Sequence, residues 1–200
     1  TATGMADMSE IKKALGIIAF GLLDSSSSTK QYSVLDFQRA YNSSAGKNIL
    51  QKKVTLLHCT TEYPAPIEDI NLKAMLSMYE EFGVDIGYSD HSKGITVPIV
   101  ATALGATIIE KHFTINRSLP GPDHKASLEP KELEDMIKKI RLVEKMMGNG
   151  LKKSMPSEIK NKNIARRSLV AAKKIIKGEV FTSDNLTVKR PGTGISPMLY

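Results

Sequence analysis

The chain has 200 residues, 41% hydrophobic and 24% charged, with 28 Lys+Arg against 21 Asp+Glu for a formal charge of +7. That balance excludes a disordered chain, which is poorer in apolar residues. No run of about 18 uninterrupted apolar residues marks a membrane-spanning helix. The basic excess does not point to nucleic acid. Lys152, Lys153, Lys160, Lys162, Arg166 and Arg167 form a modest cluster without interleaved aromatics, which reads as a solvated linker or a surface for an anionic substrate or partner. The apolar run at 15–23 has no basic leader and no small-residue cleavage site, so it reads as helix and not as signal peptide. Cys59 is the single cysteine and cannot form an internal disulfide, which fits a reducing compartment.

Residues 1–5 read as a strand stub reaching Gly4. Ser9 is placed to cap a helix whose Ile11, Leu15, Ile18 and Leu22 fall at helical spacing. A Ser-rich break at 24–29, an amphipathic piece at 34–41 and a turn at Gly46 make the stretch up to residue 53 an elaborated connection. Residues 54–59 form an apolar strand that opens into a loop holding Pro64 and Pro66. A helix over 72–82 carries Leu72, Met75, Leu76 and Tyr79 on one face, and Gly83 stops it. Residues 84–87 form a strand leading into Tyr88, Ser89, Asp90 and His91. A helix at 97–104 tolerates Pro98 in its first turn, and a strand at 107–110 leads into Lys111 and His112. After a polar loop, Ser127 caps a long helix with a stripe of Leu133, Met136, Ile137, Ile140, Val143 and Met147, closed by Gly148 and Gly150. Residues 151–163 read as a linker. From 164 the texture is that of a small β-rich module, with extended runs at 168–172 and 187–190 and turns at 177–179, 183–185 and 191–194.

Strands alternating with helices at this rhythm predict parallel βαβ units. The pattern holds four strands and four helices, whereas a complete (β/α)8 barrel has eight of each in about 250 residues. The expected fold is therefore α/β: the C-terminal half of a TIM barrel over 1–150, beginning within a strand, then the linker and a small module at 164–200. That module is too short to hold a core alone. The alternative is an open doubly wound sheet. No Gly-x-Gly-x-x-Gly turn follows a strand, which weakens its dinucleotide-binding version.

Parallel barrels carry their chemistry at the C-terminal ends of the strands. His91 and His112 close consecutive strands, and neighbouring parallel strands lie about 4.8 Å apart, so both imidazoles can reach one metal ion. Two histidines with a further ligand suit Mn, Fe, Zn or Co; the plainer alternative is a capping histidine and an ordinary loop residue. Asp123 sits in a loop fixed by Gly121 and Pro122 and is a candidate hydroxyl acceptor for a polyol. Ser89, with backbone N–H groups near Gly94, is a candidate phosphate ligand. Lys111 reads as a partner of Glu110 or Asp90, facing outward, His58 as a core or pocket-wall histidine, and Cys59 as a buried thiol without an activating partner.

Four ordered strings resemble the N-acetylneuraminate (sialic acid) synthase family: Leu57-His58-Cys59-Thr60-Thr61-Glu62-Tyr63-Pro64-Ala65-Pro66, Gly87-Tyr88-Ser89-Asp90-His91-Ser92, Ile109-Glu110-Lys111-His112-Phe113-Thr114 and Gly121-Pro122-Asp123-His124-Lys125-Ala126-Ser127. Thr3-Gly4-Met5 resembles a family motif just upstream. The tail, from Arg167-Ser168-Leu169-Val170-Ala171 to Lys189-Arg190-Pro191-Gly192-Thr193-Gly194, resembles the start of the family's antifreeze-like (SAF) domain.

The resemblance implies a cytosolic transferase that condenses phosphoenolpyruvate with N-acetylmannosamine or a related N-acyl amino sugar and releases phosphate. It implies a divalent metal, Mn²⁺ or Mg²⁺, on His91 and His112 as the catalytic centre, Ser89 on the phosphate, and Tyr63 and Asp123 on the amino sugar. It also implies that Arg190 reaches the sugar's N-acyl group in a partner's barrel, hence a domain-swapped homodimer without nucleic-acid or membrane partners. Ala2 stands where the family usually has serine, and Thr61 where some members have asparagine. The family's N-terminal barrel half, which supplies a carboxylate and lysines for phosphoenolpyruvate, has no counterpart here, so the 200-residue chain alone is expected to be inactive. Legionaminate and pseudaminate synthases are the near alternatives. A Schiff-base aldolase using Lys111 and a non-catalytic interaction module are the distant ones.

Overall fold

Helix α1 (Met8–Leu23) begins one step before the expected Ser9 cap. Asp7 Oδ1 accepts the backbone N–H groups of both Ser9 and Glu10, at 2.8 and 2.9 Å, and the Asp7 N–H donates to Glu10 Oε2. One carboxylate thus takes up two orphan donors, and Ser9 lies inside the helix. The computed structural model describes residues 1–23 and 32–200, and the predicted Ser-rich break at 24–29 lies outside the described residues.

Ser33 starts α2 (Val34–Asn42), and Ser43 starts α3 (Ser44–Lys53) directly after it. Gly46 is therefore a residue of the first turn of α3 and not a turn between elements. Its N–H donates to Ser43 Oγ at 2.9 Å, and a Cβ at this position would lie 1.8 Å from the Ala40 carbonyl oxygen. Glycine is present because the corner between α2 and α3 is tight.

Strands β1 (Thr55–His58), β2 (Asp85–Asp90) and β3 (Ile109–Lys111) form a parallel sheet in the order β1-β2-β3. Ala2 bridges Leu57 in parallel on the other side of β1. Sequential strands are spatial neighbours throughout, as in barrel staves; an open doubly wound sheet reverses its order at a switch point. Helices α4 (Lys73–Phe82) and α5 (Thr96–Ala103) make the crossovers. Gly83 ends α4 in the left-handed conformation, φ +61°, with its N–H on the Tyr79 carbonyl.

Strand alternation gives the sheet two faces. Leu56, Ile86 and Tyr88 pack with Leu15, Met75, Met78, Val97 and Ala101 into the apolar core beneath the helices. Leu57, Gly87 and Ser89 alternate to the opposite face, the lumen side of a barrel. β2 runs three residues beyond the predicted strand, because Tyr88, Ser89 and Asp90 pair in register with Ile109, Glu110 and Lys111.

Helix α6 (Pro130–Met147) is capped by Glu129, not Ser127. The Glu129 N–H donates to Glu132 Oε2, while Ser127 Oγ donates to the Asp123 carbonyl. Of its predicted stripe Met136 is fully buried, Leu133, Ile140 and Val143 are half-buried, and Ile137 and Met147 are exposed.

The structure divides into two units, Thr1–Gly148 and Asn149–Tyr200. In the second, the stretch expected to be a linker contains α7 (Pro156–Ala165), started by Pro156 and by the Met155 N–H donating to Glu158 Oε2. Strands β4 (Ser168–Ala171) and β5 (Leu186–Lys189) pair antiparallel. Asn185, in a predicted polar turn, is buried, and its Nδ2 donates to the Val180 carbonyl at 2.9 Å. Among the described residues no helix is long and apolar enough to cross a membrane.

Candidate metal and substrate site

The site is built where β1, β2 and β3 end. Beyond β1 the chain turns through Thr60–Pro66, and the Ala65 N–H donates to the His91 carbonyl at 3.0 Å, holding this loop against the end of β2. The loop thereby brings Tyr63 onto His91: the rings lie 4.2 Å apart, and the Tyr63 hydroxyl meets His91 Nε2 at 3.1 Å. His91 Nδ1 lies 2.7 Å from the Thr60 carbonyl oxygen. A carbonyl only accepts, so the proton sits on Nδ1 and the Nε2 lone pair faces the Tyr63 hydroxyl.

His112 follows β3 by one residue. Its ring is 5.8 Å from that of His91 and 5.5 Å from that of Tyr63, centroid to centroid, edge-on to both. The structure thus brings together Tyr63, His91 and His112 from three successive staves. The loop after β3 returns beside it, with the Leu128 N–H on the His112 carbonyl and the Thr114 N–H on the Leu128 carbonyl. This loop carries Asp123, whose side chain is exposed, and His124, whose Nδ1 meets Thr114 Oγ1 at 2.8 Å.

The pair of imidazoles suits a divalent ion. Metal–nitrogen bonds of about 2.0–2.1 Å place two rings on one ion with centroids roughly 5–6 Å apart. A ligating histidine also usually donates its other N–H to a carbonyl or carboxylate, as His91 Nδ1 does to Thr60. Among the described residues no third His, Cys, Asp or Glu completes a ligand set with them.

Ser89 is buried, 2% exposed, and its hydroxyl donates to Glu110 Oε1 at 2.6 Å. Glu110 shares its strand face with His112, two residues on, as Ser89 does with His91. Glu110 is the site residue that the sequence reading passed over, treating it only as a partner for Lys111. The signal was available: counting by twos back from His112 puts Glu110 on the lumen face.

Lys111 faces the other way. It is buried, and its Nζ lies 2.6 Å from Asp90 Oδ2, with side-chain exposures of 3% and 0%. The expected outward-facing lysine is instead enclosed beneath the helices, on the face away from the imidazoles, which removes it as a Schiff-base nucleophile in the lumen. His58 is on that same face, its Nε2 2.8 Å from the Ile70 carbonyl and its ring 5.7 Å from Tyr88. Burial and the nearby Asp90 carboxylate push the Tyr88 phenol well above its ordinary value, so it stays protonated. Cys59 is buried, with the Gly4 N–H on its Sγ at 3.0 Å. Arg190 follows β5 directly, in the second unit.

Comparison with known proteins gives the family and the fold of the chain. A family model described as "NeuB family" matches residues 1–152, and one described as "SAF domain" matches residues 166–199. Over 199 residues the chain is 49% identical to N,N'-diacetyllegionaminic acid synthase of Campylobacter jejuni, covering 100% of this chain and 52% of that protein. It is 41% identical to human N-acetylneuraminate-9-phosphate synthase over 142 residues, covering 70% of this chain and 39% of that protein. The chain spans about half the length of the curated relatives it matches. Among solved structures, the N-acetylneuraminic acid (sialic acid) synthetase of Leptospira borgpetersenii, in complex with citrate, superposes with a TM-score of 0.56 at 36% identity, covering 80% of this chain and 55% of that one. A putative spore coat polysaccharide biosynthesis protein E from Chromobacterium violaceum does so with a TM-score of 0.60 at 25% identity, covering 95% of this chain and 57% of that one.

Proposed function

The chain belongs to the NeuB family, with part of a TIM barrel followed by a SAF domain, and on that premise we propose that its protein condenses phosphoenolpyruvate with an N-acyl amino sugar, consuming one water, releasing phosphate and forming a nonulosonic acid. The observation that carries the proposal is the convergence of Tyr63, His91 and His112 at three consecutive strand ends. Of the possible products, a legionaminate-type acid is favoured over N-acetylneuraminate and pseudaminate. The N,N'-diacetyllegionaminic acid synthases of C. jejuni and Legionella pneumophila are 49% and 45% identical to this chain, whereas the human N-acetylneuraminate-9-phosphate synthase and a C. jejuni pseudaminic acid synthase are each 41% identical to it.

In this reading His91 and His112 would hold a divalent ion, Mn²⁺ or Mg²⁺, through their imidazole nitrogens. When bound, the ion supplies Lewis-acid polarisation of the sugar's carbonyl oxygen, the centre where negative charge develops. Thr60 keeps His91 in the tautomer whose Nε2 is unprotonated. Tyr63 presents a hydroxyl beside that nitrogen and contributes to sugar binding. Asp123, an exposed carboxylate with four lone-pair sites, accepts sugar hydroxyls. Ser89 lies at the phosphoenolpyruvate phosphate, and Glu110 orients the Ser89 hydroxyl by accepting its hydrogen bond. Arg190 reads the sugar's N-acyl group from the SAF domain of a partner subunit, in a domain-swapped homodimer. The protein works in the cytoplasm, where a lone buried thiol such as Cys59 stays reduced.

The test is a phosphate-release assay with phosphoenolpyruvate and a panel of N-acyl hexosamines, with product mass determined by mass spectrometry. The expected result is phosphate released in step with a nine-carbon acid carrying the acceptor's acyl groups. Phosphate release that does not depend on any amino sugar would overturn the condensation.

A further inference from the structure

We propose that the buried Asp90–Lys111 ion pair is the positioning element of the metal site: it fixes the ends of β2 and β3 from the helix side, so that His91 and His112 converge on the lumen side. This rests on the metal reading of the two histidines. Asp90 and Lys111 immediately precede His91 and His112 in the chain and face each other in register across β2 and β3. Lys111 Nζ donates to Asp90 Oδ2 at 2.6 Å and to the Ser92 carbonyl, while Asp90 Oδ1 accepts the Ser92 N–H at 2.9 Å. One ammonium and one carboxylate therefore hold residues 90 and 92, on either side of His91, to the residue next to His112. The Thr60 carbonyl then sets the rotation of the His91 ring.

Stability alone does not account for such a pair. Two enclosed charges are desolvated at a penalty that offsets their attraction, and apolar residues of similar volume often serve as well or better. What an apolar pair cannot do is hold a carbonyl, an N–H and a neighbouring strand in one register. Because successive side chains on a strand alternate, a tether on one face places the side chains next to it on the other. Lys111 and Asp90 are thus positioning residues that act through the imidazoles.

The test compares wild-type protein with Lys111→Met and with the double variant Asp90→Asn/Lys111→Met. The double variant keeps the volume and leaves no unpaired buried charge. Three measurements are made: Mn²⁺ binding by electron paramagnetic resonance titration with the metal alone, the imidazole nitrogen shifts of metal-free protein by NMR, and folding by circular dichroism. The double variant is expected to be folded, to bind Mn²⁺ about tenfold to a hundredfold more weakly, and to lose the single Nδ1-protonated signature of His91. A folded double variant with wild-type Mn²⁺ affinity and wild-type imidazole signals overturns the proposal. If Lys111→Met unfolds, the double variant decides. If wild-type protein takes up no Mn²⁺, or His112→Ala binds it equally well, the metal reading falls instead. The metal-free imidazole spectra then settle the positioning role: altered signals in the double variant uphold it, and unchanged signals refute it.

Discussion

Gly87→Ala tests the barrel geometry on which the site stands. Gly87 lies on the lumen face of β2, two residues before Ser89 and four before His91. A Cβ there would sit 2.5 Å from the Ile108 carbonyl oxygen, 2.5 Å from Leu57 Cδ2 and 3.1 Å from Ile108 Cβ. The leucine tip can rotate away, but the carbonyl cannot move freely, because it accepts the Tyr88 N–H at 2.9 Å between β2 and β3. Overpacking of this kind costs about 1–3 kcal/mol, and a strained ladder bond adds about 1 kcal/mol. The lost freedom of glycine in the unfolded chain offsets about 0.4–1 kcal/mol of this. The net destabilisation is about 1–3 kcal/mol, which for a chain of this size lowers Tm by roughly 2–12 °C. The control is Gly94→Ala. Gly94 has φ +75° but open space around its Cβ position, so its variant carries left-handed strain of about 1–2 kcal/mol, only partly offset by the unfolded-state gain, and no steric clash. Thermal melts followed by circular dichroism make the comparison. Equal melting temperatures for Gly87→Ala and wild type would refute the claim that β2 and β3 meet here without room for a methyl group.

His112→Ala in the active protein is expected to abolish metal-dependent turnover, and undiminished phosphate release would remove His112 from the centre. Arg190→Ala is expected to raise KM for the amino sugar well above any change in KM for phosphoenolpyruvate; steady-state kinetics with each substrate varied in turn distinguish this from a general loss. Glu132 is held below its ordinary carboxylate value of 4.5, first by the Arg117 guanidinium and then by the Glu129 N–H. A depressed folded-state value means stability that is present above 4.5 and lost as pH falls through the folded value. Urea midpoints of Glu132→Gln are therefore expected to lie below wild type at pH 7 and to approach it as the pH falls below 4.5 through the folded value. The gap is modest because this pair is more than a third exposed. A gap independent of pH would contradict the assignment.

How far the sequence could be read depended on which interaction decided each feature. The ends of β1 and β3 were legible to within a residue because parallel strands carry dense apolar runs that stop abruptly, 54–58 giving way to Cys59-Thr60-Thr61-Glu62 and 107–109 to Glu110, Lys111 and His112, whereas β2 runs on through the polar Ser89 and Asp90. Helix starts were harder. Asp7 and Ser9, or Ser127 and Glu129, are rival caps two residues apart, and in both places the acidic residue starts the helix while the serine serves elsewhere. Gly46 has the local signature of a turn, but its role is tertiary: it lets one helix begin against the last carbonyls of another. The polar segment that opens the second unit looks like a linker because α7 buries none of its residues and so shows no apolar stripe.

The site itself follows the same logic one level down. Sequence proximity suggests that Glu110, Lys111 and His112 act together, and the pleat separates them. Glu110 and His112 point into the lumen, one onto Ser89 and the other toward His91, while Lys111 points beneath the helices onto Asp90. The same partition divides Ser89 and His91 from Asp90. Two adjacent strand ends therefore carry a chemical layer on one side and a buried ionic tether on the other, written in alternate letters of two short strings. The strings name the residues. Only the register of β2 against β3, set by Tyr88 on Ile109 and Asp90 on Lys111, says which letter meets which. A slip of one residue in that pairing would turn the tether into the lumen and the imidazoles into the core. The buried charges oppose such a slip, because it would set Asp90 opposite Glu110 or His112 in place of Lys111.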